Sequence, residues 1–360
     1  MAEPLKNYFN LDFVSRIAKE VGGVYPSFDS LGLQKAVLNE DWENRELKDR
    51  MRHISISLGA FMPEYARAVE LLKMVAPKFS DFPAMVFSDF VEVHGLDDPE
   101  ASLDALEHFT KYASAEFAIR PFIVKYEMLT MDRMLTWSKD ENHHVRRLSS
   151  EGCRPRLPWA MALPKYKIDP VPLLPILENL KNDESEYVRR SVANNINDLT
   201  KDNPAIALEI AKSWYGKSTQ TDWILKHGLR TLLKKGNDEA LQIFGFNNKV
   251  NAKVLDLTLS DTQVRIGGEL QFNFKITNLD LKKSLLKVGY MVGYVKSSGK
   301  VSEKIFHVSE LTFEPNQTVS FKKKISFKDL TTRKHYPGNH YIFIAINGKE
   351  MDRVTFEVVG

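Results

Sequence analysis

The stretch RRLSSEGCRPRLPWA, residues 146–160, places four arginines and one tryptophan around a single carboxylate, Glu151. Across residues 143–167 two lysines join the arginines, and Glu151 is still the one acidic residue. Neighbouring cations favour the ionised form of a carboxylate, and guanidinium groups match the oxygens of a phosphate in pairs. The pattern therefore indicates one fixed negative charge inside a phosphate-binding segment.

The helix predicted to carry Glu151 also offers a simpler explanation. Residues four apart share one face of a helix, so Arg147 lies beside Glu151. Pairs of an acid and an arginine at this spacing are commonly solvated, or they form a structural ladder between neighbouring helices. Spacing alone favours that structural alternative.

The residues that follow Glu151 favour a binding role over the structural alternative. One glycine and two prolines come within seven positions, so the helix should end there and the chain should turn. The turn carries Arg154, Arg156 and Trp159. A loop does not need guanidinium groups in order to pack against the rest of the protein. Arginines beside an indole are, however, well suited to contact the phosphates, sugars and bases of a nucleic acid. We therefore predict that this segment binds nucleic acid.

Two parts of different periodicity must position this segment. Up to about residue 246 apolar residues return every three or four positions, as in MPEYARAVELLKMVAPK, which predicts one helix after another. Beyond residue 251 apolar and polar residues alternate, as in ELQFNFKITN, which predicts about seven strands. We expect an all-α HEAT-like helical-repeat solenoid over residues 1–246. A joint at FGFNNKVNAK should lead to an all-β immunoglobulin-like sandwich over residues 251–360.

The charge distribution differs between these two parts. The whole chain has 50 Lys and Arg and 47 Asp and Glu, a net charge of +3. Residues 251–360 have a net charge of +6, and residues 1–250 have a net charge of −3. The C-terminal part is therefore the better candidate to meet a polyanion.

An internal repeat supports the solenoid. DENHHVRR at residues 140–147 and DESEYVRR at residues 183–190 share five of eight positions at an offset of 43 residues. Helical hairpins of the HEAT type repeat at about this period, and they must stack to bury their apolar faces. Stacked hairpins form a curved surface with a concave side.

The repeat lets acids from successive helices share that surface. Asp198 lies on the same helical stripe as Arg190, and one repeat before Glu151, Glu116 precedes Arg120 by four positions. Three successive repeats can thus offer an acid and an arginine to one side of the solenoid.

The chain resembles the AlkC type of HEAT-repeat DNA glycosylases over roughly residues 1–245. The resemblance is carried by MAEPLKN at the start, FPAMVFSDFVEVHGLDD at 82–98, SLDALEHFTKYASAEFAIRPFI at 102–123 and HVRRLSSEGCRPRLPWA at 144–160. It implies an enzyme of base-excision repair that removes cationic N3-alkylated bases from DNA, chiefly 3-methyladenine, with 3-methylcytosine as a second candidate. Some members of the family have an immunoglobulin-like C-terminal domain, which is implied to help hold DNA.

The resemblance also implies which residues act. The acidic residues of the family fall on Glu116, Glu151 and Asp198, which are implied to be catalytic. The residues expected to engage DNA are Arg120, Arg146, Arg147, Arg154, Arg156, Trp159 and Arg190.

The chemistry suits these residue types. A base alkylated at N3 is already a cation, so it can leave without protonation by a general acid. As the glycosidic bond breaks, positive charge moves to the deoxyribose. A fixed carboxylate stabilises that charge and orients or deprotonates the attacking water.

Other residues indicate that the site uses no metal, no cofactor and no amine or thiol nucleophile. We expect no metal and no organic cofactor, because adjacent His143 and His144 point to different sides of a helix, unlike a helical zinc pair. No amine nucleophile can be identified, so the enzyme should be monofunctional. The alternative that Lys165 or Lys167 acts as such a nucleophile stays open. Cys153 is expected to be a buried packing thiol.

The expected partner is double-stranded DNA that contains alkylated bases, bound by a monomer. The sequence has no secretory signal and no apolar run long enough for a membrane span, which predicts a cytoplasmic protein, associated with the nucleoid when bound to DNA. The alternative is a HEAT-repeat scaffold that binds DNA or protein without chemistry. Convergence of Glu116, Glu151 and Asp198 on the concave face favours the enzyme, whereas outward pairing of Glu151 with Arg147 favours the scaffold.

Overall fold

The computed structural model of this chain describes residues 4–80, 82–247, 249–330 and 333–360. Within these residues, sixteen α-helices precede eight β-strands. The chain divides into two compact units, one of Met1–Ala207 with Gly216–Gly228, the other of Leu208–Tyr215 with Leu229–Gly360. The predicted order of folds, helical repeats and then a β-sandwich, is confirmed. The domain boundary between residues 246 and 251 stays a prediction.

The helices are α1 (Leu11–Val24), α2 (Ser30–Val37), α3 (Leu47–Phe61), α4 (Tyr65–Val75), α5 (Met85–His94), α6 (Pro99–Phe109), α7 (Ile119–Lys125), α8 (Glu127–Trp137), α9 (His143–Gly152), α10 (Pro164–Ile168), α11 (Leu174–Leu180), α12 (Glu186–Asp202), α13 (Pro204–Trp214), α14 (Thr219–Gly228), α15 (Arg230–Lys234) and α16 (Asp238–Ile243). None of the described helices is both long enough and apolar enough to cross a membrane.

Local sequence explains the bounds of α9, the helix that matters most for the site. Its first turn is capped by the Asn142 side chain, which accepts a hydrogen bond from the backbone N of His144 at 2.9 Å. The helix ends at Gly152, as predicted, and a turn follows. A Cβ on Gly152 would lie 2.6 Å from Cγ2 of Ile119 on α7, so glycine permits the close approach of these two helices.

The repeated Val-Arg motif has a structural role. Arg146 donates from Nη1 to two backbone carbonyl oxygens in the loop before its own helix, at 2.9 and 2.8 Å. One period later, Arg189 makes the same two contacts at 2.8 and 2.7 Å. Arg146 also forms two hydrogen bonds with the carboxylate of Asp183 in the next repeat, at 2.6 and 3.0 Å. The first arginine of each motif therefore fastens the loop before its own helix, and Arg146 also joins two neighbouring repeats.

The tryptophans separate into core and surface. The helical spacing of Trp137, Trp214 and Trp223 predicts that all three belong to the core, and Trp137 and Trp214 are buried. The prediction that Trp223 is core is wrong, because it is 39% exposed and stacks on the ring of His227 at a centroid distance of 5.3 Å. A helical spacing alone does not reveal which side of α14 faces the core.

The strands are β1 (Ala252–Leu259), β2 (Gln263–Arg265), β3 (Glu269–Asn278), β4 (Ser284–Val295), β5 (Val301–Phe313), β6 (Thr318–Ser326), β7 (Gly338–Ile346) and β8 (Lys349–Val359). They form a three-stranded sheet in the order β1-β3-β6 and a five-stranded sheet in the order β2-β8-β7-β4-β5. Alternate residues of β3, from Leu270 to Ile276, are buried in the shared core, which confirms the period of two. The pairing of β2 with β8 is parallel, and the other strand pairs are antiparallel.

The last helical residues pack with the sandwich in the second unit. Asn347 donates from Nδ2 to the carbonyl oxygen of Asn247 at 2.7 Å. Gly236 and Gly348 both have positive φ, and a Cβ on Gly348 would lie 2.3 Å from Cα of Gly236. Glycine is required at both positions by this close approach of two backbones.

Two histidines are buried at one end of the sandwich core. His340 contacts the carbonyl oxygen of Tyr336 through Nε2 at 3.0 Å, and its Nδ1 has no hydrogen-bond partner among the residues that the structure describes. Burial lowers the pKa of His340 below its ordinary value of 6.5, against the smaller opposing effect of Tyr336. Burial and then Arg333 lower the pKa of His335 in the same direction. Both imidazoles are therefore stable in the fold as neutral groups.

We predict that the chain loses stability as the pH falls below about 6.5. A histidine whose pKa is lower in the folded state takes up its proton in the unfolded state first, so stability is present above the unfolded pKa and declines below it. His340→Gln should reduce this decline, as measured by urea unfolding at about pH 7.5 and about pH 5.5. His307→Gln, at an exposed position of β5, is the control. An identical pH dependence in the His340 variant would contradict the assignment.

Candidate active site

The three predicted acids converge within the helical unit. Glu116 lies in the turn before α7, Glu151 lies near the end of α9, and Asp198 lies on α12. Arg147 on α9 and Arg154 on the loop after α9 stand between them. The side chains of all five residues are largely shielded from solvent.

These groups form a chain of alternating charge. Arg147 donates from Nη1 to Oε2 of Glu116, and its Nη2 lies 3.5 Å from Oε1 of Glu151. Arg154 donates from Nη1 to Oε1 of Glu151 at 2.6 Å, and from Nε to Oδ2 of Asp198 at 3.0 Å. Each arginine thus joins two carboxylates. The pairing of Glu151 with Arg147 faces into the unit, not outward.

The three acids differ in whether a carboxylate oxygen remains free to bind a ligand. Asp198 is engaged at both oxygens, because Lys201 donates to Oδ1 at 3.0 Å while Arg154 binds Oδ2. Within the described part of the chain, Glu151 contacts cations only through Oε1, and Glu116 accepts hydrogen bonds only at Oε2. Among the described residues, nothing donates a hydrogen bond to Oε2 of Glu151 or to Oε1 of Glu116. Two carboxylate oxygens are therefore available to a ligand.

The acids stabilise the charged forms of the two arginines. Burial by itself would lower the pKa of Arg147, but Glu151 and Glu116 outweigh it and raise that pKa. Burial acts on Arg154 in the same way, and Glu151 and Asp198 raise its pKa instead. Both guanidinium groups therefore stay fully protonated, and their charge holds the carboxylates in place.

Tyr187 belongs to the site and was missed by the sequence analysis. Its ring lies over the guanidinium of Arg147, with Cζ 4.8 Å from the ring centroid. Burial raises the pKa of its phenol; Arg147 opposes this rise, while Glu116 and Glu151 add to it. The hydroxyl donates no hydrogen bond to a described residue. The internal repeat could have pointed to Tyr187, because it aligns this residue with His144, directly before the Val-Arg motif whose arginine enters the site.

Arg120 has a different environment from the one predicted. It is completely buried, and it donates to the carbonyl oxygens of Met161 and Gly152, both at 2.7 Å. In this conformation it presents no surface to a phosphate, so a DNA contact is replaced by a structural role. The expected helical pairing with Glu116 is also absent, since α7 begins only at Ile119. Burial lowers the pKa of Arg120 to about 10, which still leaves it charged at neutral pH.

The predicted loop carries Trp159 on its surface. The indole is 65% exposed, and the backbone has a φ of 62°, in the left-handed region.

Cys153, at the start of the loop, is fully buried, as predicted, and burial raises the pKa of its thiol to about 12. A thiol with this pKa is not a nucleophile at neutral pH.

Of the remaining residues predicted to contact DNA, two are exposed and one is largely buried. Arg156 and Arg190 are exposed, and each forms an ion pair at the surface, with Asp202 and Glu186 respectively. Arg146 is largely buried by its contacts between the repeats. Surface ion pairs are weak, so Arg156 and Arg190 can exchange their carboxylates for phosphates, which Arg146 cannot do without breaking its structural contacts.

The chain is similar to known proteins along its whole length. A family model described as "Uncharacterised protein YhaZ, C-terminal Ig-like domain" matches residues 253–360. A Bacillus subtilis (strain 168) protein described as "Uncharacterized protein YhaZ" is 42% identical over 356 residues, 98% of this chain and 99% of that protein. The solved structure of Pseudomonas fluorescens alkylpurine DNA glycosylase AlkC, bound to DNA containing an abasic site analog, superposes with a TM-score of 0.96 at 36% identity. That match covers 99% of this chain and 100% of the other.

We predict that Arg154→Met destabilises the fold by about 3 to 5 kcal/mol, because Glu151 and Asp198 would remain buried without their shared cation. Urea unfolding at neutral pH measures the change. Arg156→Met is the matched control, since its pair with Asp202 is exposed and its loss should cost less than about 1 kcal/mol. Equal losses in the two variants would contradict the network.

Proposed function

The chain belongs to the AlkC family of alkylpurine DNA glycosylases, and from this membership we propose that it hydrolyses the N-glycosidic bond of cationic N3-alkylated bases. As a member of the family it is a DNA glycosylase of alkylation repair. The proposed substrates are 3-methyladenine and, second to it, 3-methylcytosine, in double-stranded DNA. The proposed working form is a monomer.

One observation carries the proposal for the chemistry. Oε2 of Glu151 and Oε1 of Glu116 accept no hydrogen bond from any described residue, although both side chains are held by Arg147. As the bond to a cationic base breaks, positive charge passes to the deoxyribose. A fixed carboxylate oxygen beside the sugar stabilises that charge, and it can accept a proton from the attacking water. We therefore assign the catalytic roles to Glu151 and Glu116.

Asp198 is assigned a positioning role. Both of its oxygens are engaged, and its contact with Arg154 fixes the guanidinium that holds Glu151. Lys201 donates to Asp198, so the lysine nearest to the carboxylates is occupied in an ion pair. Attack by water, and thus a monofunctional glycosylase, agrees with this arrangement.

Selectivity would follow from where the negative charge lies. The three carboxylates are matched in number by the buried guanidinium groups of Arg147, Arg154 and Arg120, so the cluster has no excess of buried negative charge. Its two free oxygens, on Glu151 and Glu116, attract a cationic base placed beside them and give a neutral base no advantage. Neither free carboxylate oxygen is a proton donor when ionised, so bases that must be protonated to leave would not be released.

DNA would be engaged by the exposed residues around this cluster. Trp159 presents an indole that can press against base or sugar, and Arg156 and Arg190 present guanidinium groups suited to phosphates. Arg147 and Arg154, which were expected to touch DNA, are instead proposed to hold the carboxylates.

We predict that Glu151→Gln keeps the fold and the affinity for DNA but slows excision about a hundredfold to a thousandfold. The amide is nearly the same size as the carboxylate but has no charge with which to stabilise the sugar. Single-turnover release of free 3-methyladenine from alkylated DNA measures the effect. Glu186→Gln is the matched control, because Glu186 also stands four residues from an arginine but is exposed.

An excision rate that is unchanged in the Glu151 variant would contradict its catalytic role. No release of base by the wild-type chain, despite DNA binding, would contradict the proposed reaction and favour a DNA-binding scaffold.

A further inference from the structure

The backbone of Trp159 has a conformation that tryptophan rarely adopts. Its φ of 62° brings Cβ close to the following carbonyl oxygen. A residue other than glycine stays in such a conformation only where its surroundings hold it. The indole is exposed and supplies little of that hold, so contacts to the backbone of the loop must supply the rest.

One such contact comes from Lys48 on α3, 111 positions away in the sequence. Its Nζ donates to the carbonyl oxygen of Trp159 at 2.8 Å, and it lies over the ring of Phe117, 4.7 Å from the centroid. Phe117 directly follows Glu116. Lys48 thus joins α3, the turn that contains Glu116 and the loop that contains Trp159.

A buried acid, Asp89, attracts the ammonium of Lys48 weakly and without an ion pair. Burial raises the pKa of Asp89 to about 6, and Arg52 and Lys48 oppose this rise. Lys48 therefore lies within electrostatic reach of a buried carboxylate. An exposed lysine loses rotamer freedom when it is held in one place, and these attractions offset that loss.

The other side of the loop is held by Arg120. This buried guanidinium binds the carbonyl oxygen of Met161, two residues after Trp159, and also that of Gly152 at the end of α9. Cations from two other segments thus hold carbonyl oxygens at Trp159 and just beyond it. Of the two, only Lys48 is exposed and can be replaced without opening the core.

We propose that Lys48 is a positioning residue for the glycosylase, which holds the Trp159 carbonyl and so keeps the indole in the orientation that engages DNA. The inference rests on the proposed function, in which Trp159 contacts DNA. Without Lys48 the backbone relaxes to a negative φ in the free protein, and DNA binding has to restore the left-handed conformation. The loss then appears in DNA affinity, while the excision rate at saturating enzyme stays the same.

Three variants test this role by binding to a duplex that contains an abasic-site analogue. Lys48→Met should weaken binding about five- to tenfold, and Lys48→Arg should retain most of the affinity, because arginine can still donate to the carbonyl. Lys125→Met is the matched control and should bind like the wild type. Lys125 is also exposed, lies 5.1 Å from the ring centroid of Tyr126, and contacts the carbonyl oxygen of Leu96 at 3.4 Å.

A second background shows whether Lys48 acts through Trp159. Trp159→Gly removes both the indole and the strain, so adding Lys48→Met there should weaken binding less than about twofold. A similar loss in both backgrounds would overturn the proposal and indicate a phosphate contact by Lys48 itself. Unchanged binding by Lys48→Met alone would overturn it as well.

Hydrogen exchange of the loop in the free protein provides a readout that needs neither DNA nor activity. The amides of residues 157–163 should exchange faster in Lys48→Met than in the wild type, and equal rates would overturn the proposal. If the wild type releases no base while the variant still loosens the loop, the proposed function fails and the positioning contact stands.

Discussion

Buried charge of alternating sign is the constraint on which the site depends. An ion removed from water is costly, by several kcal/mol, and an ion pair offsets this cost only with good geometry and satisfied hydrogen bonds. The order Glu116, Arg147, Glu151, Arg154, Asp198 meets this condition by placing each guanidinium between two carboxylates. Displacing any member breaks at least one of these shielded ion pairs. The carboxylates are therefore fixed before any ligand arrives.

This arrangement explains why so many arginines surround Glu151. Two of them, Arg147 and Arg154, hold the carboxylates, and Arg146 joins neighbouring repeats. The fourth, Arg156, is exposed and is the one proposed to bind a phosphate. Most of the positive charge in the motif thus serves to fix negative charge, and rigid placement of that charge is what catalysis by electrostatic stabilisation requires.

The local part of the site could be predicted from the sequence because it depends on neighbours in the chain. The end of α9 after Glu151 follows from its glycine and prolines, and the alternation in β3 follows from one buried face. The burial of Arg120 and Arg146 could not be predicted, because Arg120 binds two carbonyl oxygens, and Arg146 a carboxylate, that lie 32 to 41 positions away. No local pattern separates an arginine that binds a distant carbonyl from one that binds phosphate. Tyr187 could have been found from its place in the repeat.

The central claim is that the fixed carboxylates act on a base that is already cationic. The most direct test is single-turnover release of 3-methyladenine and of neutral hypoxanthine from duplexes of the same sequence, each compared with its spontaneous loss. We expect acceleration for the cationic base and an acceleration at least about a hundredfold smaller for the neutral one. Comparable acceleration of both would contradict the proposed mechanism, because a neutral base needs a proton donor, a role that the mechanism does not give to Glu116 or Glu151.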